Sequence, residues 1–310
     1  MTISIIGSGK VGASIALNCG LRELDSKINL VDIIEGLPQG EAMDINHQLS
    51  EKGFDSYVEG SNDYGKLKNS NIVILVAGVG RKPGMTRMDL LKTNASIVKS
   101  VSSKIAENVD VNNCILIVVT NPLDPMTYLA LKTTGFQTKK VMGMGGMLDL
   151  SRFTSFIHDF TKISRRSISA MVIGEHGENM LPLIRFSSIS GIPLQEFISK
   201  NQSEEIYEKT RQVAAEVIKH KGATVYAPGN AVATMVESIT KDKKVLMPVS
   251  ACLEGQYGVN DLCIGIPAVI GRDGIEKIIE LPLDNFEKNE FLKGANDVKK
   301  AISDIISTQY

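Results

Sequence analysis

The chain has 310 residues, of which 43% are hydrophobic and 22% charged. That is ordinary globular composition, with enough length for two domains around a large core. Its 34 basic and 35 acidic residues leave a net charge of −1, which excludes a dedicated nucleic-acid or membrane-surface binder, because those need a large positive field. No apolar run approaches a membrane span, and because the first strand pattern starts at residue 2 no signal peptide is expected. Cys19, Cys114, Cys252 and Cys263 form no CxxC pair and no His/Cys cluster of metal-ligand spacing. Cys19 and Cys114, in apolar helix or strand contexts, read as small core hydrophobes in a reducing cytoplasm, and no metal is expected.

The elements begin with a β-branched strand, Thr2-Ile3-Ser4-Ile5-Ile6. It runs into Gly7-Ser8-Gly9-Lys10-Val11-Gly12 and then a helical stretch from Ala13. A second apolar run, Ile28-Asn29-Leu30-Val31, ends in Asp32, twenty residues after the last of those glycines. Strand, glycine triplet, helix and acid at this spacing are what gripping a dinucleotide requires. Gly7 makes the tight turn, Gly9 lets backbone approach a pyrophosphate, and Gly12 lets the helix pack on the sheet. Asp32 can accept hydrogen bonds from the adenosine ribose hydroxyls. It would repel a 2′-phosphate, and no Arg or Lys follows it in Ile33-Ile34-Glu35, so NAD is favoured over NADP.

A helix is expected over residues 40–49, a strand over 72–77, a helix over roughly 88–108, a strand over 114–119 and a helix over 127–133. The strands are continuous apolar runs, the pattern of strands covered on both faces by helices. Alternation of this kind predicts a doubly wound parallel (Rossmann) α/β sheet, with function beyond the C-terminal strand ends. A Gly/Met stretch over 142–146 marks a boundary, giving a dinucleotide-binding domain over 1–143 and a mixed α+β catalytic domain over 144–310. The second part is expected to carry helices over 148–160, 204–221 and 228–239, strands over 169–173, 244–253 and 262–270, and an amphipathic helix over 289–306.

Polar residues gather after the strands. The loop Gly78-Val79-Gly80-Arg81-Lys82-Pro83-Gly84-Met85-Thr86-Arg87 has three glycines as hinges and three cations. It is either a solvated basic loop or a lid, and Arg81 and Arg87 on a lid point to an anionic substrate. His47, His158 and His220 lie in helical patterns and read as packed or surface helix residues. His176 follows a strand in Gly174-Glu175-His176-Gly177, where glycines let the backbone turn the imidazole into a cavity. A histidine there is the natural proton carrier near neutral pH. Asp149 and Arg152, at i and i+3, share a helix face. That spacing serves equally an ordinary surface ion pair or a site in which Asp149 holds the His176 ring while Arg152 grips a carboxylate.

Taken together, these motifs resemble the lactate/malate dehydrogenase superfamily and, within it, the lactate-dehydrogenase-like malate dehydrogenases. The resemblance runs through the glycine fingerprint with Asp32, Arg81-Lys82-Pro83-Gly84-Met85-Thr86-Arg87, Thr120-Asn121-Pro122, Leu148-Asp149-Leu150-Ser151-Arg152-Phe153 and Gly174-Glu175-His176-Gly177. It implies that His176 exchanges a proton with the substrate oxygen, that Asp149 orients it and that Arg152 binds the C1 carboxylate. It implies too that Arg87 polarises the carbonyl, that Asn121 hydrogen-bonds the substrate, and that backbone around Asn94 and Val119 lines the nicotinamide side. Arg81 stands where lactate-specific relatives usually carry Gln, which implies a small dicarboxylate, malate or oxaloacetate. Two departures are seen: Leu150-Ser151 in place of Ser-Ala, which keeps the helical register, and Thr224, a residue more often found in lactate-type members. Homotetramers or homodimers are implied by analogy, through helices such as the one over 40–49. The rivals are a lactate dehydrogenase or broad 2-keto acid reductase, and a non-enzymatic NAD-binding protein.

Overall fold

The structure, a computed structural model, describes residues 1–80 and 84–307. Fourteen strands are described: β1 (Ile3–Ile6), β2 (Lys27–Val31), β3 (Tyr57–Ser61), β4 (Ile72–Leu75), β5 (Ile115–Val118), β6 (Val141–Gly143), β7 (Ile168–Ser169), β8 (Val172–Gly174), β9 (Met180–Pro182), β10 (Ser188–Ile189), β11 (Ile192–Pro193), β12 (Val245–Glu254), β13 (Asn260–Gly271) and β14 (Gly274–Ile278). Eight α-helices accompany them: α1 (Lys10–Leu21), α2 (Leu37–Lys52), α3 (Arg87–Asn108), α4 (Leu123–Thr134), α5 (Gly146–Thr161), α6 (Lys200–Lys221), α7 (Tyr226–Thr240) and α8 (Asn285–Ser307).

The first six strands form a parallel sheet in the order β3-β2-β1-β4-β5-β6. Every residue of β1, β4 and β5 is buried, as their unbroken apolar runs require of strands covered on both faces. The order reverses between β1 and β4, the switch point at which a doubly wound sheet opens its ligand crevice. The sheet then continues without a break: β12 pairs antiparallel with β6, β13 with β12, and β8 and β14 with β13. The expected fold class, a Rossmann sheet followed by a mixed α+β region, is what the chain adopts.

Differences from the sequence reading have local causes. The edge strand β3 is unforeseen because Tyr57-Val58-Glu59-Gly60-Ser61 buries only Val58 and so lacks an apolar run. The strand expected over 169–173 is two pieces. β7 pairs with β10 in a small three-stranded sheet, while β8 joins the large one, because the chain steps from one sheet to the other at Ala170–Met171. The expected helices are present and mostly longer. Ser199 and Gln202 close a capping box that starts α6 at Lys200. All four cysteines are free and buried. His47, His158 and His220 lie in α2, α5 and α6. Among the described residues no helix is long and apolar enough to cross a membrane, and no group of three or more His, Cys, Asp or Glu could hold a metal ion.

Candidate active site

Two clusters form at the C-terminal ends of the parallel strands. The first surrounds the glycine turn between β1 and α1. Gly7 has φ +106°, and a Cβ there would sit 2.7 Å from the Ala77 nitrogen. Gly12 lies so close to the Gly7 carbonyl that any Cβ would overlap it, so both positions exclude other residues. Gly9, which caps α1, is the opposite case: nothing lies within 4 Å of a Cβ built on it. This leaves open space at a helix N-terminus, where backbone donors and the positive dipole end favour an anion. Lys10 and Val11 form the first turn, Lys10 exposed and Val11 packed against the core. The Ser8 hydroxyl is buried without a partner. Asp32 is fixed at the end of β2 by accepting from the Ser8 amide at 2.7 Å and the Ile34 amide at 3.0 Å. These features fit a dinucleotide. Residues 7–12 would hold the pyrophosphate, and the remaining lone pairs of Asp32 would take the ribose hydroxyls.

The exits of β4 and β5 are laced together. The Asn94 side chain, buried in α3, accepts from the Val79 amide at 2.8 Å and donates to the Val79 carbonyl at 3.0 Å and the Asn121 carbonyl at 2.6 Å. Thr120 donates to the Ala77 carbonyl at 2.8 Å, and a Cβ on Gly78 would meet the Thr120 methyl at 2.6 Å. Gly78 is therefore a packing residue, not the hinge expected from sequence. Gly80 and Gly84 have nothing within 4 Å and remain free to turn. Val119 is buried beside this lacing and Asn121 is exposed. Arg81 lies outside the described residues. Arg87 opens α3 behind a Thr86/Asp89 capping box and forms an exposed ion pair with Glu178. Glu178 is two residues beyond His176, and Arg211 of α6 donates to its carbonyl.

The second cluster gathers Asp149, Arg152 and His176. Asp149, in the first turn of α5, is buried and serves two neighbours at once. One carboxylate oxygen is 2.7 Å from His176 Nδ1; the other accepts from Arg152 at 3.0 Å. The helical i, i+3 pair is thus no surface ion pair: the Arg152 side chain is 11% exposed and that of Asp149 2%. The bond at Nδ1 leaves His176 Nε2 for a substrate. Gly145 forms the floor, since a Cβ there would lie 2.7 Å from His176 Cβ. Burial works to lower the His176 pKa, but the Asp149 charge and hydrogen bond, aided by Asp124, hold it above the ordinary histidine value against the opposing Arg152.

Asp124 is the member that sequence reasoning passed over. It is completely buried in α4, accepting from the His176 amide at 2.7 Å and the Ser250 hydroxyl at 2.6 Å. Burial pushes its pKa up to about 7, with the Ser250 and His176 hydrogen bonds pulling the other way. It joins α4, the His176 loop and β12 at one point. Replacing Asp124 with Ala is expected to strand two buried donors and lower stability by about 2–4 kcal/mol. A chemical-denaturation midpoint unchanged in Asp124→Ala would contradict this linkage.

Family comparison agrees with this geometry. Residues 1–143 match the lactate/malate dehydrogenase NAD binding domain, and residues 146–309 match the lactate/malate dehydrogenase alpha/beta C-terminal domain. The chain belongs to the lactate/malate dehydrogenase family. It is similar to the malate dehydrogenase of Methanosarcina acetivorans, 44% identical over 97% of this chain and 98% of that protein. It is similar also to that of Chlorobium phaeovibrioides, 41% identical over 99% of each. The solved malate dehydrogenase of Salinibacter ruber superposes with a TM-score of 0.95 at 39% identity, covering 100% of this chain and 99% of that one. The lactate dehydrogenase of Eimeria maxima, solved with NADH and oxamate, superposes at 0.94 with 39% identity, covering 99% and 96%. The protein is an NAD-dependent oxidoreductase, with NAD as its cofactor. With Asp32 in place, NADH is expected to exceed NADPH in kcat/KM by at least about a hundredfold, the consequence of a close like-charge clash. Equal values for the two cofactors would sink this assignment of Asp32, and Asp32→Ser should narrow the gap mainly by weakening NADH.

Proposed function

We propose that the protein catalyses the reversible oxidation of (S)-malate to oxaloacetate. The observation that carries this reading is the buried His176–Asp149–Arg152 constellation beside an open dinucleotide cradle. NAD, when bound, supplies the hydride chemistry at its nicotinamide ring. Everything else falls to the chain. Arg152, oriented by Asp149, presents a planar fork to the C1 carboxylate. In the oxidation direction, neutral His176 takes the hydroxyl proton at Nε2 as Asp149 stabilises the imidazolium that forms. In the reduction direction the imidazolium returns that proton to the carbonyl oxygen. Arg87, released from Glu178, polarises the same oxygen and steadies developing negative charge. Asn121 adds a hydrogen bond to the substrate, and Val119 with the Asn94-held backbone walls the nicotinamide side. Arg81 pairs the second carboxylate.

The reading divides the labour between a cofactor-binding domain, 1–143, and a catalytic domain, 144–310. It places the protein in the tricarboxylic acid cycle of the cytoplasm as a homotetramer or homodimer. Steady-state kinetics with oxaloacetate against pyruvate, each with NADH, tests it. Equal kcat/KM for the two acids would favour a broad 2-keto acid reductase, and no turnover of either would favour a non-enzymatic NAD-binding protein.

A further inference from the structure

Two of the four cysteines face one another across the long β12–β13 hairpin. Cys252 and Cys263 are direct cross-strand partners in the antiparallel register. Their Cα atoms therefore lie within roughly 4.5–5.5 Å, inside the range a disulfide spans. Both thiols are free, and they sit in the same apolar cluster beneath α4. Cys19 and Cys114 have no cysteine opposite them: Cys19 is in α1 and Cys114 just precedes β5.

The pair is chemically asymmetric. Cys263 is 1% exposed and Cys252 7%. The facing Cys263 thiol holds the Cys252 pKa below its ordinary value, while burial and the facing Cys252 sulfur push Cys263 well above its own. One sulfur is thus prepared as nucleophile and the other as a protonated resolving thiol. The pair also sits next to the catalytic framework. Side chains two residues apart share a strand face, so the adjacent rung on this face is Ser250 opposite Gly265. Ser250 donates to Asp124, which holds the His176 amide, and Gly265 pairs with Gly174 of the His176 loop.

We propose that Cys252 and Cys263 form a reversible intrachain disulfide that lowers turnover by shifting the Ser250–Asp124–His176 linkage. The oxidant is a peroxide. The Cys252 thiolate attacks one peroxide oxygen, the O–O bond breaks, the departing hydroxide takes up the proton Cys252 had released and becomes water, and Cys252 becomes a sulfenic acid. Cys263 sulfur then displaces hydroxide from it, forming the S–S bond, and the Cys263 proton leaves with that hydroxide as water. Two thiols are oxidised by two electrons in all, and one hydrogen peroxide is reduced to two waters. A dithiol reverses the step by exchange. The effect on turnover rests on the reading of His176 as proton carrier; formation of the disulfide does not.

The test treats reduced full-length protein with a small molar excess of hydrogen peroxide. Remaining thiols are then blocked under denaturing conditions, and peptides are mapped by mass spectrometry. The expected result is a Cys252–Cys263 link, an intact mass lower by about 2 Da, and blocked Cys19 and Cys114. The kcat for oxaloacetate reduction falls about fivefold or more and recovers with dithiothreitol. Cys252→Ser and Cys263→Ser should each keep their kcat through the same treatment. Cys252→Ala replaces the first of these if its NADH binding shows it misfolded. A sulfinic acid at Cys252 without a link, four blocked thiols, or a link that leaves kcat unchanged would overturn the proposal. His176→Asn separates the two readings, because the link must still form in that variant. Full turnover by His176→Asn would remove the catalytic reading, and absence of the link would remove this one.

Discussion

His176→Asn is expected to bind NADH nearly as the parent does and to lose roughly three or more decades in kcat. The substituted amide can occupy part of the ring's place and still reach Asp149, and the proposed cofactor cradle at residues 7–12 and Asp32 is not altered by the substitution. What disappears is a group that both accepts and returns a proton. The pH dependence carries the same signature. Burial is the strongest single influence and lowers the His176 pKa, but the Asp149 charge, the Asp149 hydrogen bond and the Asp124 charge together outweigh it, so the pKa lies above the ordinary histidine value. Oxaloacetate reduction needs the imidazolium, so its rate should hold at low pH and fall as pH rises through that raised pKa. Malate oxidation needs the neutral ring and should rise over the same interval. Both limbs should be missing from what activity remains in His176→Asn. Stopped-flow and steady-state measurements on the two proteins decide the matter, and a variant retaining more than about a tenth of the parental kcat would transfer the proton-carrier role to another group.

Arg81→Gln is expected to reverse the choice of acid. Oxaloacetate has two carboxylates and pyruvate one. On the proposed reading, Arg152 and Arg87 serve groups that both molecules possess, and pyruvate offers no second carboxylate for Arg81. Desolvating an unpaired guanidinium costs about 3–5 kcal/mol, equivalent to some two to four decades in kcat/KM. The parent should therefore prefer oxaloacetate strongly, with Thr224 placing the ratio toward the low end of that range. The variant should lose oxaloacetate activity and gain pyruvate activity, because the unpaired charge has gone. Should the parent reduce both acids equally well, or should the ratio survive Arg81→Gln unchanged, the malate assignment has to be withdrawn.

What could be read from the chain was whatever is written locally. The strands β1, β4 and β5 are continuous apolar runs because both of their faces are covered, and the glycines at 7 and 12 are forced by contacts made within the same turn and with the neighbouring strand. The glycines flanking His176 mark it as a candidate in the sequence. The contact between Asp149 and His176 is different: it joins residues 27 positions apart, and only family resemblance favoured it over a surface ion pair. Asp124 was illegible. Its partners lie 52 and 126 positions away, and an acid in the first turn of a helix is ordinarily a solvated one that favours the dipole. The structure also reassigns Gly78, because the crowding that fixes it comes from Thr120 and Asn94 on other elements.

The unbroken sheet has a mechanical consequence. β6 hydrogen-bonds to β5 on one side and to β12 on the other, so the strands that end at the dinucleotide cradle and the hairpin beneath the His176 loop belong to one backbone ladder. Bending the two halves about a common axis would tear rungs from that ladder. On the proposed reading, the separation of His176 from the glycine turn is therefore carried by one continuous backbone ladder. On that reading, room for a longer acid would have to come from side chains and loops, because bending the ladder costs backbone hydrogen bonds.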